Sequence, residues 1–277
     1  MRFCIVGTGR CGSTMLRDLL ALHPDGFVFR ETHWIPILWE RCGERPVRLD
    51  RLLEVVQRTR FVDGSKVTEV DEEALLRRFA ADGREVIGIR EFCALLATHL
   101  AGREISWWAD KTPDYGPYMG LLQQLWPDCR FVDLVRQPWD VVASMSRHPG
   151  YRWLAAARRL SWVSAALDHE PEETPADIPL EEFVSLWRER SLRTADEAAR
   201  LAPGSFRRIC YESFLRDPTQ SLREVAEFLE IDPEPAWIRR AARRVRRAGR
   251  GAPARQITDA FAESDWRLAE QLGYPRS

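Results

Sequence analysis

The chain has 277 residues, 45% of them hydrophobic, and a formal net charge of −1. That is enough apolar material for one large domain or two small ones, and so even a balance excludes general attraction to nucleic acid or to a membrane surface. No apolar run is long enough to span a membrane, and the N-terminus enters an apolar segment with no basic leader region, so a soluble cytoplasmic protein is expected.

In chain order, Phe3 to Val6 reads as a short buried strand, broken by Gly7, Gly9 and Gly12. Ser13 then stands where a helix cap is expected, ahead of apolar Met15, Leu16, Leu19 and Leu20. Gly26 to Arg30 reads as a second strand, with Glu31, Thr32 and His33 just past its end. Trp34 to Cys42 is expected as a helix with Pro36 in its first turn. Residues 45–100 are helical in pattern, over 49–59, 72–81 and 86–100. Further strands are expected over 105–109, 131–135 and 206–210. Helices are expected over 118–126, 139–147, 153–168, 180–201, 221–229, 235–248 and 264–272, with an acidic, Pro-containing loop over 168–177.

Strands alternating with helices predict an α/β fold, a parallel central sheet flanked by helices. The expected organisation is one domain over 1–277, with helical insertions at about 45–105 and 150–205. Six scattered cysteines lack C-x-x-C spacing; Cys4, Cys93, Cys129 and Cys210 sit in apolar contexts and are expected reduced and buried. No His/Cys/Asp cluster has metal-ligand spacing, so no metal is expected. Lys66 and Lys111 are the only lysines.

Strand, glycine-rich loop and helix together turn backbone N–H groups and a helix N-terminus toward an anion, usually a phosphate. Three readings of the loop compete. Gly7 and Gly12 have Walker A spacing, but Ser13 stands where that loop places its lysine. Gly7-x-Gly9-x-x-Gly12 fits the dinucleotide fingerprint, with Glu31 near the place of a ribose-binding acid. The third reading is a phosphate loop whose cation is Arg10 and whose donors are the backbone, Ser13 and Thr14. A second constellation follows the 131–135 strand. Arg136 ends it, and Asp140, Ser144 and Arg147 share a face of the next expected helix, where Arg136, Ser144 and Arg147 suit a second phosphate. Ser144 lies about 9 Å along that helix, which must therefore lie across the ligand.

Gly7-Thr-Gly-Arg-Cys-Gly-Ser-Thr14 resembles the 5′-phosphosulfate loop of sulfotransferases that use 3′-phosphoadenosine 5′-phosphosulfate (PAPS). Phe131 to Ser144 resembles their 3′-phosphate motif. Tyr211-Glu-Ser-Phe-Leu-Arg-Asp-Pro218, followed by Leu222 and Phe228-Leu-Glu-Ile231, resembles a later segment whose Tyr lies by the adenine. Asp110-Lys111-Thr112-Pro113 also has a family counterpart. Arg10, Ala21-Leu-His-Pro24 and Glu31-Thr-His-Trp-Ile-Pro36 are most similar to the tyrosylprotein sulfotransferases, and Arg30-Glu-x-His33 is similar to the glycan enzymes. The resemblance covers about residues 3–40 and 107–231.

It implies a P-loop-like core and PAPS as sulfuryl donor, held by Gly9, Arg10, Cys11, Gly12, Ser13, Thr14, Arg136, Ser144 and Tyr211. It implies in-line transfer to a hydroxyl, with Arg10 and Lys111 stabilising the leaving phosphate. Glu31 matches the tyrosylprotein enzymes' catalytic Glu, and His33 is the second choice of base. The eleven tryptophans, including Trp34, Trp39, Trp107, Trp108 and Trp139, are expected mostly in the core, and those beside Glu31 and Lys111 suit an apolar acceptor pocket. The chain departs from the family at Arg10, where many members have Lys, and at Arg147, one residue closer to Arg136 than in the tyrosylprotein enzymes. The usual Arg-x-Gly-x-x-Gly-x-Trp segment is not evident, and residues 246–251 are the expected replacement. The acceptor stays open among a small molecule, a glycan and a peptide. The alternatives are a P-loop-like nucleotide kinase and a non-enzymatic nucleotide-binding protein. Oligomeric state has no signature in the sequence.

Overall fold

The computed structural model describes residues 1–81, 83, 85–245 and 255–276. Its strands are β1 (Phe3–Val6), β2 (Gly26–Val28), β3 (Val47–Arg48), β4 (Val86–Ile87), β5 (Trp107–Lys111), β6 (Arg130–Val135) and β7 (Phe206–Cys210). Five of them form one parallel sheet in the order β2-β5-β1-β6-β7, and β3 and β4 form a separate antiparallel pair. The register sets Ile5 beside Lys111 and Val6 beside Asp133, so β5 ends within a residue of β1 and β6 runs two residues past it. Every residue of β1 and β5 is buried, as befits strands covered on both faces.

The helices are α1 (Ser13–Leu20), α2 (Trp34–Cys42), α3 (Leu49–Arg58), α4 (Glu72–Ala81), α5 (Ile89–Ala101), α6 (Met119–Leu125), α7 (Pro138–Met145), α8 (Pro149–Ala156), α9 (Leu180–Ala198), α10 (Tyr211–Arg216), α11 (Pro218–Leu229), α12 (Pro235–Ala242), α13 (Arg255–Asp259) and α14 (Glu263–Gln271). No described helix is long and apolar enough to cross a membrane. The expected C-terminal replacement, 246–251, lies wholly outside the described residues, and the helix expected over 235–248 ends at Ala242, with Arg243 as its C-cap.

Several expectations are corrected. The expected 153–168 helix stops at Ala156, because Arg158 turns left-handed at φ 51° and the amides of residues 157–159 fold back on the carbonyls of 153–155. Trp162–Ser164 then form a short 3-10 turn, with the Ser161 hydroxyl accepting from the Val163 amide at 3.2 Å. α7 ends at Met145, since Pro149 begins a new helix and cannot continue the old one. Val86–Ile87 are strand rather than helix. The strand expected at 105–109 sits two residues later, which brings Asp110 and Lys111 into the sheet. All six cysteines are free, but Cys210 is half-buried while Cys11 is buried.

Candidate active site

The Gly-rich loop links β1 to α1 at the carboxyl end of the sheet. Gly7, Gly9 and Gly12 have φ of 121°, 76° and 94°, and Arg10 has 57°. Gly12, not Ser13, occupies the position before the helix, and no side-chain cap hydrogen bond is made there among the described residues. Ser13 is instead the first helical residue. Those amides are therefore left for an anion. Space also demands the glycines: a Cβ on Gly7 would strike the Asp133 carboxylate, and one on Gly12 the Tyr211 ring.

The loop opens on a cleft of about 880 Å³, within the size range of small-molecule sites. Arg10, Gly12, Ser13, Thr14, Glu31, His33, Lys111, Arg136 and Ser144 all line it, so most residues expected at the site meet in one place. Gly9 and Cys11 do not line it. The Cys11 side chain is fully buried and burial pushes its thiol up to about 12, leaving only backbone to face a ligand. Arg147 is exposed, lies beyond α7 and does not line the cleft. Trp34, Trp107 and Trp108 are buried and also do not line it; Trp162 does.

Lys111 is only 3% exposed. Its Nζ donates to Glu31 Oε1, and His33 Nε2 lies 3.2 Å from Glu31 Oε2. A carboxylate can only accept, so Nε2 carries the hydrogen, while Nδ1 is buried without a partner among the described residues. Burial alone would raise the Glu31 carboxyl, but the His33 hydrogen bond and the Lys111 charge outweigh it and hold it at about 2. The segment is pinned from below. The Thr32 amide donates to Thr112 Oγ1 at 2.9 Å, and the Thr32 and Tyr115 hydroxyls lie 2.7 Å apart. His33 holds φ 52° as it starts α2, a conformation rare outside glycine.

The second constellation reaches the same cleft. Arg136 Nη2 donates to Asp140 at 2.8 Å, its guanidinium lies 5.2 Å from the Tyr211 ring centroid, and its buried Nε has no partner among the described residues. Arg10 Nε donates to Ser144 Oγ at 3.0 Å, so the two expected phosphate sites touch. Tyr211 is half-buried and meets the site through Gly12 and Arg136 rather than as cleft lining.

Residues 3–235 match the profile of the sulfotransferase family. The chain belongs to the sulfotransferase family. Solved structures of similar fold include the sulfotransferase domain from the curacin biosynthetic pathway, at 20% identity and TM-score 0.59, covering 99% of this chain and 98% of that one. The sulfotransferase domain from the Synechococcus PCC 7002 olefin synthase aligns at 21% identity and TM-score 0.54, covering 99% and 94%. A sulfotransferase from Mycobacterium avium aligns at 15% identity and TM-score 0.55, covering 97% of this chain and 75% of that one. A comparison with curated proteins gives no match. The parallel sheet with a P-loop-like core is thus a sulfotransferase fold, and nothing in these matches supports a nucleotide kinase.

Residues that no local pattern announced complete the lining of the cleft. A hairpin over 60–66 closes with the Phe61 amide on the Ser65 carbonyl at 2.8 Å and brings Phe61, Val62, Asp63 and Lys66 to the cleft. It is anchored by the Arg60 amide on Ala166 at 2.7 Å and by Trp162 Nε1 on the Arg60 carbonyl at 2.8 Å. From α8 come Tyr151 and Leu154, and beneath the loop Arg190 pairs with Asp114 at 2.9 Å. The charge of Arg190 offsets the burial of Asp114, so that carboxyl lies below its ordinary value.

Proposed function

We propose that this sulfotransferase draws its sulfuryl group from PAPS, passes it to an acceptor hydroxyl, and uses Glu31 to take the acceptor's proton. PAPS supplies a sulfuryl group on a 5′-phosphate that becomes more negative as the group departs. The residues suit such a ligand: unbonded amides at the start of α1, cationic Arg10 beside them, and a buried Arg136 nitrogen without a partner. The convergence of Arg10, Lys111, Arg136 and Ser144 with Glu31 in one cleft is the observation that carries the reading.

Each side chain then has a separate task. Arg10, Ser13, Thr14 and the loop amides hold the 5′ end, and Arg136 with Ser144 holds the 3′-phosphate. Tyr211 braces Gly12 and Arg136 on the adenosine side. Lys111 meets the negative charge that grows at the 5′-phosphate. A carboxylate held at about 2 is a weak base. Lys111 drawn toward an anion in the cleft leaves Glu31 with one partner fewer and a higher proton affinity. His33 keeps the carboxylate aimed, and its Nε2, already donating, is not free to act as the base.

The test is ligand-dependent melting without Mg²⁺. Adenosine 3′,5′-bisphosphate should raise the midpoint well above the shift given by AMP or ATP at equal concentration, because a ligand bound only by the native state stabilises it. Equal shifts with AMP and the bisphosphate would remove the 3′-phosphate site.

A further inference from the structure

We infer that the Tyr151 hydroxyl donates a hydrogen bond to the sulfuryl group in transit and that buried Arg190 holds the ring in place; this rests on the reading above. Tyr151, on α8, is 9% exposed and lines the cleft. Its hydroxyl lies against the loop: a Cβ on Gly9 would collide with it, so the glycine leaves the room that the hydroxyl uses. No described residue hydrogen-bonds that hydroxyl, and it is not among the buried atoms left without partners, so it opens on the cleft. A polar group set this carefully against an anion-binding loop, and left unbonded by the protein, is a donor for what enters.

The ring has little freedom. The Arg190 guanidinium lies 5.5 Å from its centroid, and the His148 ring meets it edge-on at 5.3 Å. Arg190 is itself fixed by Asp114 at 2.9 Å, the Leu160 carbonyl at 2.7 Å and the Gly7 carbonyl at 3.4 Å. Burial raises the phenol above its ordinary value; Arg190 partly offsets this, and Asp114 and Glu31 add to it, so the hydroxyl keeps its proton. It stands beside Gly9 of the loop, lines the same cleft as Glu31 and lies within electrostatic reach of that base.

In the transfer, the bond from sulfur to the 5′-phosphate oxygen breaks and its electron pair stays on that oxygen. A bond from the acceptor oxygen to sulfur forms, and the acceptor's proton goes to Glu31. Tyr151 gains and loses nothing; it bonds a sulfuryl oxygen throughout.

Tyr151→Phe keeps the ring over Arg190 and removes only the hydroxyl, so its melting midpoint should stay near the wild-type value. The measurement is the affinity of wild type and variant for PAPS and for adenosine 3′,5′-bisphosphate, with the rate at which PAPS, transferring to water, releases bisphosphate. The bisphosphate affinity should stay within about twofold, PAPS should bind about fivefold or more weakly, and release should slow about 10- to 100-fold. Affinities for the two ligands that change by the same factor, or not at all, overturn the assignment. Failure of the wild-type protein to bind either nucleotide removes the donor reading, and this inference with it.

Discussion

Arg10 and Gly12 to Thr14 reach the cleft from one short stretch of chain, whereas the facing wall is gathered from Glu31 and His33, the 60–66 hairpin, His148 to Tyr151 and Trp162. The loop works mainly through backbone: glycines at positive φ and open amides at the start of α1. The wall works through side chains carried by segments far apart in sequence. A loop made of main chain binds a group common to a whole family; a wall made of side chains chooses what reacts there.

The most severe test of this division is Glu31→Gln, which keeps the shape and removes the base. Turnover with an alkyl alcohol acceptor should fall by roughly 10²–10⁴, while the affinity for adenosine 3′,5′-bisphosphate stays within about threefold. A parallel loss of nucleotide affinity would show that loop and wall are not separable. His33→Asn, made alongside, should slow the reaction less, since its part is to aim the carboxylate.

Asp110 sharpens the comparison from outside the cleft. It neighbours Lys111 on β5 but does not line the site, and neither of its buried carboxylate oxygens has a hydrogen-bond partner among the described residues. Burial, the largest cause, raises it to about 6, and the nearby charges of His33 and Lys111 offset this only in part. The folded protein therefore holds this proton more tightly than the unfolded chain does. The associated stabilisation is full below about pH 4 and disappears as pH rises through 6. Relative to Asp110→Asn, wild-type stability should fall by about 2 kcal/mol between pH 4 and pH 8, read by urea unfolding, with nucleotide affinity unchanged.

Arg136→Ala tests the second phosphate site. It should weaken bisphosphate binding by roughly 1.5–3 kcal/mol and leave AMP binding nearly unaltered, as calorimetry would show. Unchanged bisphosphate affinity in a folded variant would break the assignment. The mildest change is Phe61→Ala in the hairpin, which should shift the KM for an apolar acceptor by about 3- to 10-fold, consistent with losing part of one buried aromatic contact, at constant bisphosphate affinity.

The phosphate loop was legible because its signal is local: strand, glycines and helix follow one another within residues 3–20, and backbone conformation there depends on the residues themselves. The sheet was legible for the same reason, strand by strand. What failed needed the fold. Apolar spacing over 153–168 is shared by a helix and by a turn that packs Trp162 inward, and only the left-handed Arg158 separates them. Lys111 was expected at the site just past a strand ending at 109, but its burial against Glu31 was not legible, because β5 runs two residues further. Trp34 and its neighbours fill the core, while Tyr151 and Arg190 come to the loop from more than 100 residues away, beyond the reach of periodicity or spacing.

The bond from Arg190 to the Gly7 carbonyl reaches further than the site. Anion-binding loops on a protein's rim can open alone, and their amides then exchange with solvent far faster than the core. Here the loop's first carbonyl is tied to a guanidinium that is 3% exposed, midway along the 19-residue α9 and paired with Asp114. Freeing Gly7 means disturbing that ion pair and the helix that bears it. Movement of the loop's backbone at Gly7 should therefore be as rare as disturbance of the sheet beneath it, although the cleft-facing amides of α1, open to solvent, exchange readily.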